Sequence, residues 1–120
     1  MDDQSFVKMC ESMATWHQRL LEASSQSRLV VVDCTARWCG PCNYMAPVFD
    51  DLARRYHRHL LFLRFDVDQL KVLASDMDIQ GFPTFIFMKN GGEVERLLGA
   101  NKEELQRRVA LFAQQVNQNN

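Results

Sequence analysis

Apolar and polar positions along the chain change period several times, and each change marks an element. Phe6 to Cys10 makes a short extended stretch, with an early helix as the competing assignment. Ser12 is a natural N-cap; Met13, Trp16, Leu20 and Leu21 then fall on one helical face, which predicts a first helix ending near Ala23. The small polar run from Ser24 to Arg28 has the length of an ordinary loop. Leu29 to Val32 is an unbroken apolar run rich in valine, the mark of a strand buried on both faces. Asp33 at its end breaks that pattern.

Helical spacing returns with Met45, Val48, Phe49, Leu52 and Tyr56, which predict a second amphipathic helix. Pro47 lies inside it and is expected to kink it, because proline removes one backbone bond and crowds the carbonyl four residues earlier. Leu60 to Phe65 reads as a second buried strand, and Asp68 as the cap of a short helix from Gln69 to about Met77. Two strands joined through a helix in this way predict a right-handed parallel crossover. Gly81, Phe82 and Pro83 interrupt the chain before a strand from Thr84 to Met88. Asn90-Gly91 signals a hairpin returning through Val94 to Leu98. A last helix is predicted from Lys102 to Gln115 with Leu105, Val109 and Phe112 on its buried face, followed by a polar, frayed tail over 116–120. Strands alternating with helices and closing in a hairpin indicate an α/β layer structure on a mixed sheet.

The 120 residues suffice for one domain, read as 1–120, and no internal repeat divides them. Hydrophobic residues at 47% and charged residues at 24% are ordinary for a globular protein. With 14 basic against 15 acidic residues there is no broad field for nucleic acid or anionic lipid, so neither is expected as a partner. The one dense basic stretch, Arg54, Arg55, His57, Arg58 and His59, reads as a solvated helix end favoured by the macrodipole; a docking patch is the competing reading. The N-terminal residues lack the basic and apolar regions of a signal peptide, and no run approaches membrane-spanning length, so a cytoplasmic location is expected. In that reducing setting four cysteines argue for catalysis or metal binding and not for a disulfide scaffold.

The chemistry concentrates at Trp38, Cys39, Gly40, Pro41 and Cys42, a pair of thiols placed at the start of a helix. Cys39 would sit at the positive end of the helix dipole near unpaired amides, and both effects favour thiolate. A free thiol of pKa about 8.5 is roughly 3% ionised at neutral pH, whereas a pKa of about 7 ionises about half of it, a difference of about 2 kcal/mol. Pro41 fixes φ in the first turn, where a missing amide costs nothing. Cys39 is therefore the expected nucleophile, and Cys42, one turn deeper, the residue that resolves the mixed disulfide. Asp33, buried six residues before Cys39, is read as the acceptor of the Cys42 proton with a raised pKa; the alternative is a strand-end carboxylate bonded to backbone. A single C-x-x-C leaves a zinc site incomplete unless Cys34, Cys10 or a histidine joins it, and no metal is expected.

These residues closely resemble the thioredoxin family over nearly the whole chain. The matching pieces are Val32-Asp33, Ala36, Trp38 to Cys42, Pro47, Asp66 to Asp68, Gly81, Pro83-Thr84, Lys89-Asn90-Gly91 and Gly99-Ala100. A lone C-x-x-C is weak, but this ordered set is specific. The resemblance implies a thioredoxin fold with a mixed five-stranded sheet in the order 1-3-2-4-5 and two helices on each face. It implies a redox disulfide between Cys39 and Cys42, and a cis Pro83 facing that pair in place of an ordinary trans turn. It assigns Trp38, Gly40, Pro41, Gly81, Phe82, Pro83 and Gly99 to substrate binding, with the backbone beside Pro83 bonding an extended client segment. The thiol pKa near 7 is itself a property of thioredoxin, so its magnitude comes with the family and not from these residues.

The implied activity is that of a monomeric protein-disulfide reductase with no bound cofactor, recharged from NADPH by a flavin-dependent thioredoxin reductase and serving disulfide-containing clients such as peroxiredoxins. A Gly-Pro pair between the cysteines favours the reducing side. Potentials of about −270 mV for thioredoxin and about −180 mV for the isomerase differ by roughly 4 kcal/mol over two electrons. The competing class is a binding module whose groove recruits a partner with little redox turnover; retention of both cysteines argues against it. The chain also departs from the family pattern. Cys34 stands where an aromatic is common, Asn43 where a basic residue is common, and Phe82 where a smaller residue is usual, while Arg37 supplies a charge nearby. Arg64 replaces a lysine that neighbours the buried aspartate. Cys10 and Cys34 read as small buried hydrophobes, with a regulatory disulfide as the alternative.

Overall fold

The computed structural model describes residues 5–118. Its elements run β1 (Val7–Met9), α1 (Met13–Ser25), β2 (Leu29–Thr35), α2 (Gly40–Tyr56), β3 (Leu60–Asp66), α3 (Lys71–Asp76), β4 (Thr84–Lys89), β5 (Gly92–Leu98) and α4 (Lys102–Gln118). The five strands form one sheet in the order β1-β3-β2-β4-β5, as the resemblance implied. β3 is parallel to both β1 and β2, whereas β4 is antiparallel to β2 and β5, so the sheet is mixed. At one edge β1 has only three residues, and at the other β5 carries the charged side chains of Glu93, Glu95 and Arg96; both features discourage pairing with another chain.

Local chemistry explains most boundaries. Ser12 Oγ accepts the Thr15 N–H at 3.0 Å and caps α1, a contact worth about 1 kcal/mol. The helix extends to Ser25, two residues past the Ala23 expected from the apolar pattern. Asn101 caps α4 in the same manner, its Oδ1 accepting from the Glu104 N–H at 3.0 Å. α4 then runs to Gln118, three residues past the expected Gln115; positions 119–120 of the expected tail lie outside the described residues. At the hairpin, Asn90 (φ 52°) and Gly91 (φ 79°) both take the left-handed conformation that a two-residue turn between twisted strands requires.

Asp68 does not cap the third helix. That helix starts at Lys71 with no side-chain cap, and it is Asp66 whose Oδ1 accepts the N–H groups of Asp68 and Gln69 at 2.8 and 3.3 Å. The carboxylate two residues earlier reaches those amides first, which leaves Asp68 free for another partner.

The sheet separates two apolar layers. On one face α1 and α3 pack Trp16, Ala23 and Leu73 against Val30, Val32, Leu63 and Phe65. On the other α2 and α4 pack Phe49, Leu52, Leu105, Val109 and Phe112 against Val31, Phe62, Phe85 and Phe87. Phe49 is central there, lying 5.4 Å from the Phe62 ring and 5.8 Å from Phe85, and burying each such ring contributes about 2–3 kcal/mol. β2 is buried from Leu29 to Cys34, so the strand continues through Asp33 instead of stopping before it. α2 is continuous through Pro47 and joins the layers: Cys39 and Cys42 at its start belong to the first, Met45 onward to the second.

Candidate active site

The two thiols converge because α2 begins where β2 has just ended. Cys39 is the N-cap of α2, extended at φ −93° and ψ 107°, and Pro41 occupies the first turn. Cys39 Sγ accepts the Cys42 N–H at 3.2 Å, so one of the amides left without a helical partner points at the sulfur. The structure holds the oxidised form, with Cys39 bonded to Cys42. Both residues are largely covered, Cys39 at 5% exposure and Cys42 at 2%, so their difference comes from position at the helix end more than from access.

Around the disulfide, Trp38 is 66% exposed yet fixed. Its Nε1–H donates to Asp68 Oδ2 at 2.8 Å, and its ring meets Phe82 edge to face with centroids 5.4 Å apart. The Phe82-Pro83 peptide bond is cis. The Pro83 carbonyl accepts the Gly99 N–H at 2.9 Å, and Gly99 takes φ 109°, a conformation that disfavours any residue with a Cβ. Gly81 lies against Leu98, whose Cδ1 would be 2.8 Å from a Cβ added there, so Leu98 supplies the apolar surface that Gly81 lacks. Among the described residues, Phe82 makes no backbone hydrogen bond of its own, so its N–H and C=O are unpaired within the chain.

Behind α2 the buried Asp33 meets Arg64 across the β2–β3 register. Arg64 Nε–H donates to Asp33 Oδ2 at 2.8 Å, and the adjacent Nη2 of the same guanidinium donates to Asp50 Oδ1 at 2.9 Å and to the Ala46 carbonyl at 3.4 Å. Arg64 therefore does reach the buried aspartate. The Asp33 carboxyl is pushed above its ordinary value by burial, the larger effect, and pulled back in part by Arg64. Ala46 is one turn beyond Cys42, so the Arg64 guanidinium reaches the backbone of α2 one turn past the second cysteine.

The departures from the family pattern also find places. Arg37 lines a polar hollow with Asp66, Asp68 and Gln69, so its charge stands beside carboxylates, and Asn43 Nδ2 reaches the Arg37 carbonyl at 3.5 Å. Cys10 and Cys34 are buried and unpaired. Burial pushes the Cys10 thiol up to about 11 and the Cys34 thiol well above its ordinary value, so both stay protonated. The basic end of α2 is solvated, with Arg54 paired to Asp51, Arg55 over the Tyr56 ring and His57 stacked on Phe6. Sequence reading missed Asp50, Asp68 as the partner of Trp38, and Leu98. Only Asp68 carried a sequence signal, its place in the matching Asp66 to Asp68 stretch.

Comparison with known proteins agrees with this geometry. The thioredoxin family model matches residues 7–111. The chain is 45% identical over 108 residues to Thioredoxin H1 of Arabidopsis thaliana, covering 90% of this chain and 94% of that protein. It is 44% identical to an H-type thioredoxin of Picea mariana, covering 89% and 85%. Among solved structures, a wild-type poplar thioredoxin h superposes with a TM-score of 0.85 at 38% identity, over 88% of this chain and 95% of that one. Family match, sheet order and bonded cysteine pair agree, and the chain belongs to the thioredoxin family of thiol–disulfide oxidoreductases as a protein-disulfide reductase.

Proposed function

We propose that Cys39 is the attacking sulfur, Cys42 the resolving one, and Asp33 the group that takes the Cys42 proton. The carrying observation is the Cys42 N–H directed at Cys39 Sγ from the first turn of α2, because it stabilises negative charge on that sulfur and not on its partner. The Cys39 thiolate attacks a client disulfide, forming a mixed disulfide and releasing one client sulfur as a thiolate that takes a proton from water. Cys42 then gives its proton to Asp33 and attacks Cys39; the Cys39-Cys42 bond forms as the second client sulfur leaves. Two electrons pass from the dithiol to the client, and the structure corresponds to the end of that sequence.

The client lies, on this reading, as an extended segment across Trp38, Gly40, Pro41 and the loop Gly81, Phe82 and Pro83, with Gly99 closing the far side. What supports it is the unpaired backbone of Phe82 beside an exposed, anchored indole. No cofactor enters the chemistry. Electrons come from NADPH through a flavin-dependent reductase, clients include peroxiredoxins, and the chain works as a cytosolic monomer with residues 1–120 as one domain. H-type thioredoxin relatives and two unpaired buried cysteines support that setting, and no helix among the described residues is long and apolar enough to cross a membrane.

The test is NADPH-coupled reduction of a protein disulfide in the presence of a thioredoxin reductase. Cys39→Ser and Cys42→Ser are each expected to abolish turnover. Full turnover by either variant would remove the two-sulfur sequence.

A further inference from the structure

A guanidinium can hold two carboxylates at once, which a lysine ammonium on one flexible stem does less well. In this chain Arg64 does so: Nε–H serves Asp33 and the adjacent Nη2 serves Asp50, while Cζ lies 5.4 Å from the Phe49 ring centroid. The three side chains form a graded path outward, with Asp33 at 4% exposure, Arg64 at 15% and Asp50 at 50%. Asp50 lies two turns of α2 beyond Cys42, outside the stretch from Trp38 to Cys42.

We propose that Asp50 is a positioning residue for the dithiol reaction: by holding Nη2 of Arg64 it restricts that guanidinium to a single hydrogen bond on Asp33. The bond falls on Oδ2, which leaves Oδ1 for a proton. Without Asp50, the freed Nη2 turns toward Asp33 and the pair closes into a two-bond fork, the stronger arrangement for arginine and carboxylate. A carboxylate gripped that way is a poorer proton acceptor at neutral pH, because its charged form is over-stabilised.

Other groups packed against Asp33 do not substitute for Asp50. β4 presents Phe85 opposite it, and α4 contributes Leu105, Val109 and Phe112 to that layer. Arg108 of α4 is engaged with Glu95 and Glu104. On α2, Asp51 turns to Arg54. Cys42, also on α2, does not titrate while bonded to Cys39. Cys34, adjacent in the chain, belongs to the opposite layer and stays protonated.

The proposal rests on Asp33 as proton acceptor, and its test reads the carboxyl directly so that the two claims fail separately. In oxidised protein, the Asp33 side-chain carboxyl is titrated by carbon NMR in wild type, Asp50→Ala, Asp51→Ala, Arg64→Gln and the double variant Asp50→Ala with Arg64→Gln. Asp50→Ala, which leaves no acceptor for Nη2, is expected to move the Asp33 midpoint down by about half a pH unit or more, and Asp51→Ala to leave it in place. With Arg64→Gln as background the same change shifts it by less than half as much; Arg64→Lys serves if that background does not fold. No shift, an upward shift, or an undiminished shift without the guanidinium would overturn the role of Asp50. If the midpoint moves as expected and the pH profile of client reduction does not follow it, Asp50 controls Asp33 but Asp33 is not the proton acceptor.

Discussion

The Trp38 indole is tied to Asp68 by a 2.8 Å hydrogen bond across thirty residues of sequence, so an exposed ring beside the disulfide is held in one orientation. Asp68 is free for this because Asp66 takes the amides at the following turn. A fixed aromatic surface loses little entropy when a client lies on it. Asp68→Ala is expected to lower kcat/KM for a protein client by roughly fivefold, equivalent to about 1 kcal/mol, through KM. Asp68→Asn, whose amide oxygen still accepts, retains most of it. Steady-state kinetics with a protein client and with a small aromatic disulfide check this, since the small substrate does not need the surface.

Asp33 makes stability depend on pH in a definite direction. Burial raises its carboxyl, so the ionised form is disfavoured in the folded state. Below the unfolded value, about 4, that cost is absent; it grows as pH rises and is complete above the raised folded value. Asp33→Asn removes it. The variant is therefore expected to melt higher than wild type at pH 8 by roughly a few degrees, and equally near pH 3, while reducing clients at least about tenfold more slowly. Thermal melts across that range decide it; an offset independent of pH would mean that Asp33 is not a raised, buried acid.

The four cysteines fall into two classes that alkylation can count. After reduction, iodoacetamide at pH 7 is expected to modify Cys39 first and Cys42 slowly. Cys10 and Cys34 remain unmodified in the folded protein because burial both covers them and keeps them protonated. Mass spectrometry of peptides over time reads the order. Rapid labelling of Cys34 would show that this position, aromatic in many relatives, opens toward the site.

Gly99 carries a backbone demand. At φ 109° it donates to the Pro83 carbonyl, and an alanine there must either adopt a disfavoured conformation or give up the contact. Gly99→Ala is expected to cost about 1–3 kcal/mol of stability by denaturant titration, together with a raised KM for protein clients.

Much of the scaffold could be read before any coordinates. The valine run of β2, the Ser12 cap, the Asn90-Gly91 hairpin and the face Leu105, Val109, Phe112 are local signals, and local chemistry decides them. Sheet order is not local, and it came from resemblance. What could not be read was which of several nearby acids would meet which donor. Asp66, Asp68, Asp50 and Asp51 look alike in sequence, yet one closes a turn, one holds an indole, one holds Arg64 and one pairs along its own helix. Those choices are made by side-chain reach across elements. The same holds for Arg64, whose contact with Asp33 follows from strand register.

The central claim is that Cys39 attacks and Cys42 resolves, and trapping measures it most directly. Reduced Cys42→Ser is mixed with a disulfide-bearing protein client, quenched with acid and mapped by mass spectrometry. The account predicts a stable mixed disulfide joining Cys39 to the client in near-stoichiometric yield, absent when Cys39→Ser is used in its place. A client adduct on Cys42 in the Cys39→Ser protein, formed as fast as the Cys39 adduct, would contradict it.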